Sequence, residues 1–390
     1  MNFYKINSND TKELFKKIGT DDSGAKIMAQ KTDIHLIYIK DLKVGGANIL
    51  KQDALSIGAD LAVPMGTIIA RDEKVDAVLM GTTKHLEILS RKELAQPFGL
   101  KTLAKGLKEF INTKKYPTRI MGIINANDDS FFSGSRFPPK GTSSQAQGAG
   151  EDAVSKIKQM IKDGASIIDI GGVSTRPGSD TVSEQEEMDR VKPICDLIEK
   201  EKLYKEVDFS IDSFTPSVIE YALKSGFKIV NDVTGLSNDE VARVASKYKA
   251  AVVIMHMQGK PKDMQHNPSY EDVIIEVDRF FSERIAKAKK FGIEEIILDI
   301  GIGFGKTLEH NLTLLKHTEH FKHFGYELLI GASRKSMINK ITPCPTQERL
   351  PGTLAIHLDS IKRGSSIVRC HDVKEHVQAV KVQEAIENIL

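Results

Sequence analysis

Short apolar runs alternate with amphipathic segments from Arg119 to the end of the chain. Runs that are apolar on both faces are typical of parallel strands covered by helices. Eight strand–helix repeats over roughly 270 residues match the size of a TIM barrel, and eight is the number of strands that closes one. A doubly wound open sheet is the competing architecture. The strand candidates are RIMGIIN (119–125), SIIDIGG (166–172), DFSIDS (208–213), KIVNDV (228–233), AVVIMHM (251–257), EIILDIG (295–301), ELLIGAS (327–333) and SIVRCHD (366–372).

The first third of the chain has a less regular pattern. Residues 1–30 are polar and predict a lead-in that is either ordered on contact or frayed, and no chemical motif stands out in the remainder. We therefore predict two domains, a small N-terminal α/β region (1–116) and a barrel domain (117–390). The role of the N-terminal region is unknown, and we expect it to serve assembly or regulation. The strand candidates of the N-terminal region are IHLIYI (34–39), TIIA (67–70) and AVLMG (77–81), and its helix candidates are ANILKQDALSIGA (47–59), KHLEILSRKELAQ (84–96) and LKTLAKGLKEFI (100–111).

Composition narrows the class of protein. The 390 residues are 40% hydrophobic and 28% charged, with a net charge of +2 that gives no reason to expect a nucleic-acid or membrane partner. Three widely spaced cysteines do not make a disulfide framework or a metal motif. No signal-peptide pattern and no long apolar segment is present. These features predict a cytoplasmic protein.

Polar side chains stand at the ends of nearly all the predicted strands. The stretch ASIIDIGGVSTRPG (165–178) is the clearest case, because a carboxylate, Asp169, interrupts an apolar run that leads into a Gly-rich loop with Arg176. One such residue is compatible with an ordinary strand and a capping Asp. A whole set on one face of a barrel favours an active site. The other positions are Asn125, Asp212, Asn231, Asp232, His256, Asp299, Ser333 to Ser336 and Arg369 to Asp372.

The residue types at these ends suit two kinds of ligand group. Carboxylates, an amide and a lysine ammonium offer the acceptors and donors that suit a flat, nitrogen-rich heterocycle. This set comprises Asp212, Asn231, Asp299 and Lys335. Arg369 and His371, two apart on a strand, point to one face and suit a phosphate or pyrophosphate. The amide oxygen of Asn125 suits Mg²⁺, which is usually shared with substrate phosphates.

Eight segments in this part of the chain are long enough to be specific. They are IMGIIN…DDSFFSG (120–134), DIGGVSTRPG (169–178), SIDSFTPSV (210–218), IVNDVTG (229–235), MHMQGKPKDMQ (255–265), LDIGIGFGKTLEHNLTLL (298–315), GASRKSMI (331–338) and VRCHDV (368–373). These segments resemble dihydropteroate synthases, in the family's order and over about residues 118–390. The resemblance implies a TIM barrel and a transferase of folate biosynthesis that joins 6-hydroxymethyl-7,8-dihydropterin pyrophosphate to 4-aminobenzoate and releases pyrophosphate. The resemblance also implies Mg²⁺, competition by sulfonamides and a homodimer.

The resemblance also implies roles for individual residues. Lys335 and Arg176 would take part in catalysis, together with Asp128 or Asp129. The pyrophosphate and its Mg²⁺ would lie on Asn125, Arg369 and His371. The 4-aminobenzoate would contact Thr175, Arg176 and Ser336. The pterin would contact Asp212, Asn231, Met255, Asp299, Phe304, Gly331 and Lys335.

Three positions depart from the family pattern. Ser133 stands where the family has an Asp thought to stabilise the pterin cation, and Asp128 and Asp129 are the candidate substitutes. Val173 replaces a usual Glu, and Ile300 replaces a usual Pro. The altered first loop, NANDDSFFSG, therefore bears on whether the chain is an active synthase.

Two rival functions stay open at this point. A pterin-binding barrel of the folate–corrinoid methyltransferase type would share the fold, but its ligand has no pyrophosphate to occupy Arg369 and His371. A non-catalytic pterin-binding protein would explain the altered first loop. GIGFGK (301–306) lacks the spacing of a nucleotide-binding loop, and the histidines at 310, 317, 320 and 323 are interpreted as structural.

Overall fold

The computed structural model describes residue 1 and residues 10–126, 143–173, 182–259 and 264–389. Packing divides the chain into two compact units. Met1–Lys114, His323–Gly325 and Glu384–Leu390 form the first, and Lys115–Lys322 and Tyr326–Gln383 form the second. Within the described residues, each helix is too short or too polar to cross a membrane.

The first unit is built on a three-stranded antiparallel sheet in the order β1-β3-β2. Leu50, Leu61, Leu79 and Leu89 belong to the apolar core between this sheet and its helices. The elements are α1 (Thr11–Lys17), α2 (Asp22–Ala29), β1 (Ile34–Lys43), α3 (Val44–Ser56), β2 (Asp60–Ala62), β3 (Lys74–Thr82), α4 (Thr83–Lys92) and α5 (Leu100–Ile111).

One prediction for this unit was wrong. Thr67–Ile69 is a 3₁₀ turn instead of a strand, because the flanking Gly66 and Ala70 have left-handed backbone angles that end an extended segment. Ile68 and Ile69 are 82% and 76% exposed, so no sheet neighbour buries them. The lead-in also contains α1 and α2, which are capped by Asp10 and Asp21 through bonds to their first-turn amides.

A buried carboxyl pair lies inside the first unit. Glu93 is fully buried, and within the described chain neither of its carboxylate oxygens has an N–H or hydroxyl donor. Burial and the neighbouring Asp53 raise the pKa of Glu93 to about 7. The Lys92 ammonium pairs with Asp53 at 2.9 Å, so Glu93 holds the proton of the pair.

Replacing Glu93 with glutamine should flatten the pH dependence of stability. The folded pKa of Glu93 lies above its ordinary 4.5, so the folded state binds more protons between pH 4.5 and about 7, and stability falls as the pH rises through that window. Urea unfolding at pH 5 and pH 8 should show the wild type losing about 1–3 kcal/mol more than Glu93→Gln. Glu87→Gln, on the exposed side of α4, is the matched control. Equal pH dependence in all three proteins would contradict this expectation.

The second unit is a closed barrel of eight parallel strands, in the order β10-β11-β4-β5-β6-β7-β8-β9. This confirms the predicted TIM barrel and excludes the open sheet. Met121, Ile167, Val253 and Leu329 are among the side chains that fill its interior. The strands are β4 (Arg119–Asn125), β5 (Ile167–Gly171), β6 (Asp208–Asp212), β7 (Ile229–Asp232), β8 (Ala251–Met255), β9 (Ile296–Asp299), β10 (Glu327–Ile330) and β11 (Ile367–Cys370).

Helices follow the strands and form the outer layer of this unit. Typical capping explains several starting points, such as Ser183 before α7 and Asp272 before α10. The helices are α6 (Ser143–Lys162), α7 (Glu184–Glu201), α8 (Pro216–Lys224), α9 (Asp239–Lys247), α10 (Val273–Lys290), α11 (Leu308–Lys316), α12 (Ser336–Ile341), α13 (Leu350–Lys362) and α14 (Val373–Glu387).

Candidate active site

The carboxyl ends of the parallel strands meet at one mouth of the barrel. Strand register places Asn125, Gly171, Asp212 and Asn231 in one row across four neighbouring strands. Gly171 has no side chain and therefore leaves a gap in this row. A Cβ built at Gly171 would lie 3.3 Å from Cβ of Asp212. Side chains predicted from distant parts of the sequence are therefore neighbours at the mouth.

Arg369 on β11 joins two buried carboxylates across the mouth. Its Nε donates to Oδ2 of Asp169 at 2.6 Å, and its Nη2 donates to Oδ2 of Asp212 at 2.8 Å. Asn231 donates from Nδ2 to the same oxygen of Asp169 at 3.0 Å. Asp169 is fully buried, and its Oδ1 has no hydrogen-bond partner among the described residues. Asp169 is therefore the centre of the network.

Asp212 and Arg369 have shifted pKa values. Burial raises the pKa of Asp212 to about 7, against the opposing effect of Arg369 and with the help of the Asp169 carboxylate. Desolvation works against the charge on Arg369, but Asp169 and Asp212 outweigh it and raise the guanidinium pKa. Asp212 can thus accept or release a proton near neutral pH while Arg369 stays charged.

A second group of side chains lies at the ends of β9 and β10. Asp299 accepts the Gly301 amide at 2.8 Å, and burial raises its pKa against the effect of the Lys335 ammonium. Lys335 donates to the carbonyl of Ile302, and its Nζ lies 4.6 Å from the centre of the Phe304 ring. A cation, a carboxyl and an aromatic face are therefore adjacent, as a charged planar ligand would require.

Lys306 holds the loop that follows β9. It is only 2% exposed, and its Nζ donates to the carbonyls of Gly301 at 2.9 Å, Phe304 at 3.0 Å and His256 at 3.2 Å. The Nδ1 atom of His256 lies 2.9 Å away. Burial lowers the pKa of Lys306 to about 7 and that of His256 to about 2. Gly301 is required here, since a Cβ would lie 1.9 Å from the His256 carbonyl oxygen.

The turns after β10 and β11 are also connected. Oγ of Ser333 lies 2.8 Å from Nδ1 of His371 and accepts the His371 amide at 3.2 Å. Ser336 begins α12 with an exposed side chain. Gly331 lies against Arg369, whose Cβ is 3.9 Å from a Cβ built at the glycine. Met255 ends β8 and is buried beside Asp299 in the strand register.

The described part of the barrel mouth offers little to a metal ion by itself. Asn125 ends β4 with a half-buried side chain, and no set of three carboxylate, histidine or cysteine ligands comes together there among the described residues. A hard cation held by one amide oxygen would need oxygen atoms from a substrate and from water. This donor set fits Mg²⁺, which commonly binds with few protein ligands plus substrate phosphates.

The structure brings most of the predicted site residues to one mouth and leaves some undescribed. Asp128, Asp129, Ser133, Thr175 and Arg176 lie outside the described residues, so their predicted roles stay predictions. Sequence reasoning predicts Asp169 at the rim without a role, although a carboxylate in an apolar run is a usable signal. The sequence does not indicate a role for Lys306, because GIGFGK (301–306) lacks the spacing of a nucleotide-binding loop and its lysine belongs to no other motif.

Comparisons with known proteins agree with this geometry. The family model described as pterin binding enzyme matches residues 121–371. The bifunctional dihydropteroate synthase/dihydropteroate reductase of Helicobacter pylori is 40% identical over 384 residues, covering 98% of both chains. Dihydropteroate synthase of Escherichia coli K12 is 44% identical over 68% of this chain and 90% of its own. The Yersinia pestis dihydropteroate synthase structure with a sulfonamide drug complex has a TM-score of 0.63 at 37% identity, covering 70% of this chain and 95% of its own.

Proposed function

Because this chain belongs to the dihydropteroate synthase family of pterin-binding enzymes, we propose that the charged cluster at its barrel mouth performs the condensation that names the family. The amine nitrogen of 4-aminobenzoate forms a bond to the methylene carbon of 6-hydroxymethyl-7,8-dihydropterin pyrophosphate. The carbon–oxygen bond to pyrophosphate breaks and its electron pair leaves with the pyrophosphate. The amine loses one proton, and 7,8-dihydropteroate is the product.

The pterin end of the substrate is assigned to the buried polar groups. Asp212 and Asn231 face the mouth from adjacent strands, and Asp299 and Lys335 lie at the ends of β9 and β10. A neutral or charged carboxyl near its pKa can pair with amino and ring nitrogens of the pterin. The Phe304 ring beside the Lys335 ammonium offers an apolar face to the planar ring system.

The leaving pyrophosphate is assigned to the cationic side of the mouth. Arg369 has a fixed charge and a fork of donors, and His371 is anchored by Ser333. Asn125 would hold Mg²⁺ together with pyrophosphate oxygens, and the ion would supply positive charge to the leaving group. Ser336, with Thr175 and Arg176, is proposed to bind 4-aminobenzoate. These donors act in the transition state, where the pyrophosphate gains negative charge.

The buried Asp169–Arg369–Asp212 network is the observation that carries this proposal. A methyltransferase-type barrel has no pyrophosphate to bind, and a scaffold has no use for a buried, charged mouth. The test is continuous pyrophosphate detection with purified protein, Mg²⁺ and both substrates. Omitting 4-aminobenzoate, or chelating Mg²⁺ with EDTA, should abolish the signal. No release with all components present would refute the proposal.

Asn231→Ala should weaken pterin binding about 5- to 150-fold. The alanine removes the amide proposed to pair with the pterin, and a buried ligand group left without its partner costs about 1–3 kcal/mol. Oδ2 of Asp169 loses the Asn231 donor but keeps the Arg369 donor at 2.6 Å. Calorimetric titration with the pterin substrate measures the loss. Asn238→Ala removes an exposed asparagine from the start of α9 and serves as control. An unchanged affinity in Asn231→Ala would remove this residue from the pocket.

Further properties follow from the family alone. The Yersinia pestis relative forms a complex with a sulfonamide drug, and we extend that binding to this chain as competition with 4-aminobenzoate. The cytoplasmic location and the homodimer stay predictions.

A second activity, reduction of 7,8-dihydropteroate, is proposed for the same chain. The Helicobacter pylori relative carries the name of a reductase as well as a synthase, and its match covers 98% of both chains. The Escherichia coli synthase matches only 68% of this chain. The additional length shared with the bifunctional relative is what favours a reductase. Reduction would add a hydride to C6 and a proton to N5, with the electrons from a nicotinamide or flavin donor.

This second activity has its own test. Purified full-length protein receives 7,8-dihydropteroate and reduced nicotinamide, with and without added flavin, and tetrahydropteroate is measured by mass spectrometry. We expect nicotinamide oxidation that requires dihydropteroate and matches tetrahydropteroate in amount. Absence of tetrahydropteroate under all donor conditions would refute the reductase and leave the synthase proposal untouched.

A further inference from the structure

Two buried histidines on adjacent helices form a continuous hydrogen-bonded path behind the active-site turns. His357 lies on α13 and His376 on α14, and both are almost fully inaccessible to solvent. The Ala332 amide donates to Nε2 of His357 at 3.1 Å. Nδ1 of His357 lies 2.9 Å from Nε2 of His376, and Nδ1 of His376 contacts the Asp372 carbonyl oxygen at 2.5 Å. All four ring nitrogens therefore have a partner.

The two ends of the path determine the proton positions. The Ala332 amide can only donate, so Nε2 of His357 accepts and its proton is on Nδ1. That proton is donated to Nε2 of His376, whose own proton is then on Nδ1 and points to the Asp372 carbonyl. Both rings are neutral in this arrangement. Burial lowers the pKa of both histidines, which agrees with the neutral form.

The path joins the two turns that lie next to the cationic residues of the site. Ala332 precedes the turn with Lys335, and Asp372 follows the strand that carries Arg369. A second link runs between the same turns, since Arg334 donates to both carboxylate oxygens of Asp372 at 2.6 and 2.9 Å. Arg334 has a left-handed φ of 55°, a strained conformation that the surrounding contacts must maintain.

We propose that His357 and His376 are a neutral positioning pair that sets the spacing between the β10 and β11 turns, and so places Lys335 and Arg369 for pterin pyrophosphate. Both histidines are almost fully inaccessible to solvent, so they act through the two turns. The inference rests on the proposed synthase function, because it assigns the two turns to one substrate. A pair that only stabilises the fold would affect unfolding and leave substrate affinity unchanged.

The experiment compares four variants of the full chain. His376→Leu removes the path and leaves the His357 donor unpaired, while the Asp372 carbonyl keeps the backbone amide of residue 376 at 3.2 Å. His376→Gln keeps one donor and one acceptor, and His376→Asn keeps both on a shorter side chain. Ser360→Ala is the control, since Ser360 is buried on the same helix as His357 and its hydroxyl donates to the Ile356 carbonyl. Steady-state kinetics and calorimetric titration with inorganic pyrophosphate are measured well below each melting temperature.

We expect His376→Leu to raise KM for pterin pyrophosphate about tenfold with kcat within about threefold, the signature of lost ground-state placement. Pyrophosphate affinity should fall by a similar factor. His376→Gln and Ser360→Ala should stay within about twofold of the wild type, with His376→Asn between Gln and Leu. If the Leu variant does not fold, the Asn and Gln pair gives the same comparison.

Two results would overturn the inference. Variants with wild-type KM and wild-type pyrophosphate affinity, but lowered melting temperature, would make the pair purely structural. A wild type that binds no pyrophosphate would refute the proposed function and this inference with it, whereas equal affinities across folded variants would refute this inference alone.

Discussion

Arg369→Met should lower kcat/KM about 10³-fold, at the upper end of the effect of losing one preorganised charged donor. The methionine fills a similar volume but leaves Asp169 and Asp212 without their shared cation. Removing one partner of a buried ion pair costs about 3–5 kcal/mol of folding stability. Because the pKa of Asp212 is already raised to about 7, this carboxyl can protonate, and we expect a loss near the lower end of that range.

Two further variants separate charge from geometry in this prediction. Arg369→Lys keeps the charge but cannot reach two carboxylates with a rigid fork, so its activity should lie between wild type and Arg369→Met. Arg243→Met removes an exposed arginine whose pair with Glu240 is 2.6 Å long, and surface pairs of this kind contribute about 0–1 kcal/mol. Urea unfolding and initial rates give both quantities. An Arg369→Met enzyme with kcat/KM within threefold of the wild type would remove Arg369 from the mechanism.

Lys306→Met should lower the free energy of unfolding by about 3 kcal/mol and pterin affinity about tenfold. The substitution removes the Lys306 donor from three backbone carbonyls. Gly301 keeps the Phe304 amide at 3.1 Å, whereas the carbonyls of His256 and Phe304 lose the donor that Lys306 gave them, and each unpaired buried group costs about 1–3 kcal/mol before relaxation. The loop it releases carries Phe304 and the carbonyl that Lys335 contacts. Both effects therefore have the same origin.

The control for Lys306 is an exposed lysine with one ion-pair partner. Lys247→Met removes a pair with Glu220 at 2.7 Å on the surface and should change neither quantity by more than about 0.5 kcal/mol. Denaturant unfolding and pterin titration are run side by side. If Lys306→Met is as stable as Lys247→Met, the four contacts of Lys306 contribute nothing and the loop is held by other means.

The barrel could be predicted from sequence because each strand is an apolar run bounded by polar residues. β4 (Arg119–Asn125) begins and ends as predicted, since a polar residue closes the run at each end. The elements of the N-terminal unit are harder to predict from sequence. β2 is only three residues long, which is too short for a periodic pattern to indicate. TIIA (67–70) has the apolar, β-branched composition of a buried strand, but its isoleucines are exposed on a 3₁₀ turn.

The site could be predicted only as a set of positions. Strand ends converge in a parallel barrel, so the sequence indicated that Asp212, Asn231 and Asp299 share a mouth. Sequence spacing cannot identify the hydrogen-bond partners of these side chains, because Arg369 contacts carboxylates that are 157 and 200 residues away in the chain. Sequence spacing does not indicate the His357–His376 path for the same reason. It exists only once α13 and α14 pack side by side behind two turns.

Product analysis of the wild type is the most direct test of the synthase function. Purified protein is incubated with 6-hydroxymethyl-7,8-dihydropterin pyrophosphate, isotopically labelled 4-aminobenzoate and Mg²⁺, and both products are quantified by mass spectrometry. The charged barrel mouth predicts labelled 7,8-dihydropteroate and pyrophosphate in equal amounts. Pyrophosphate without dihydropteroate, or neither product, would contradict it.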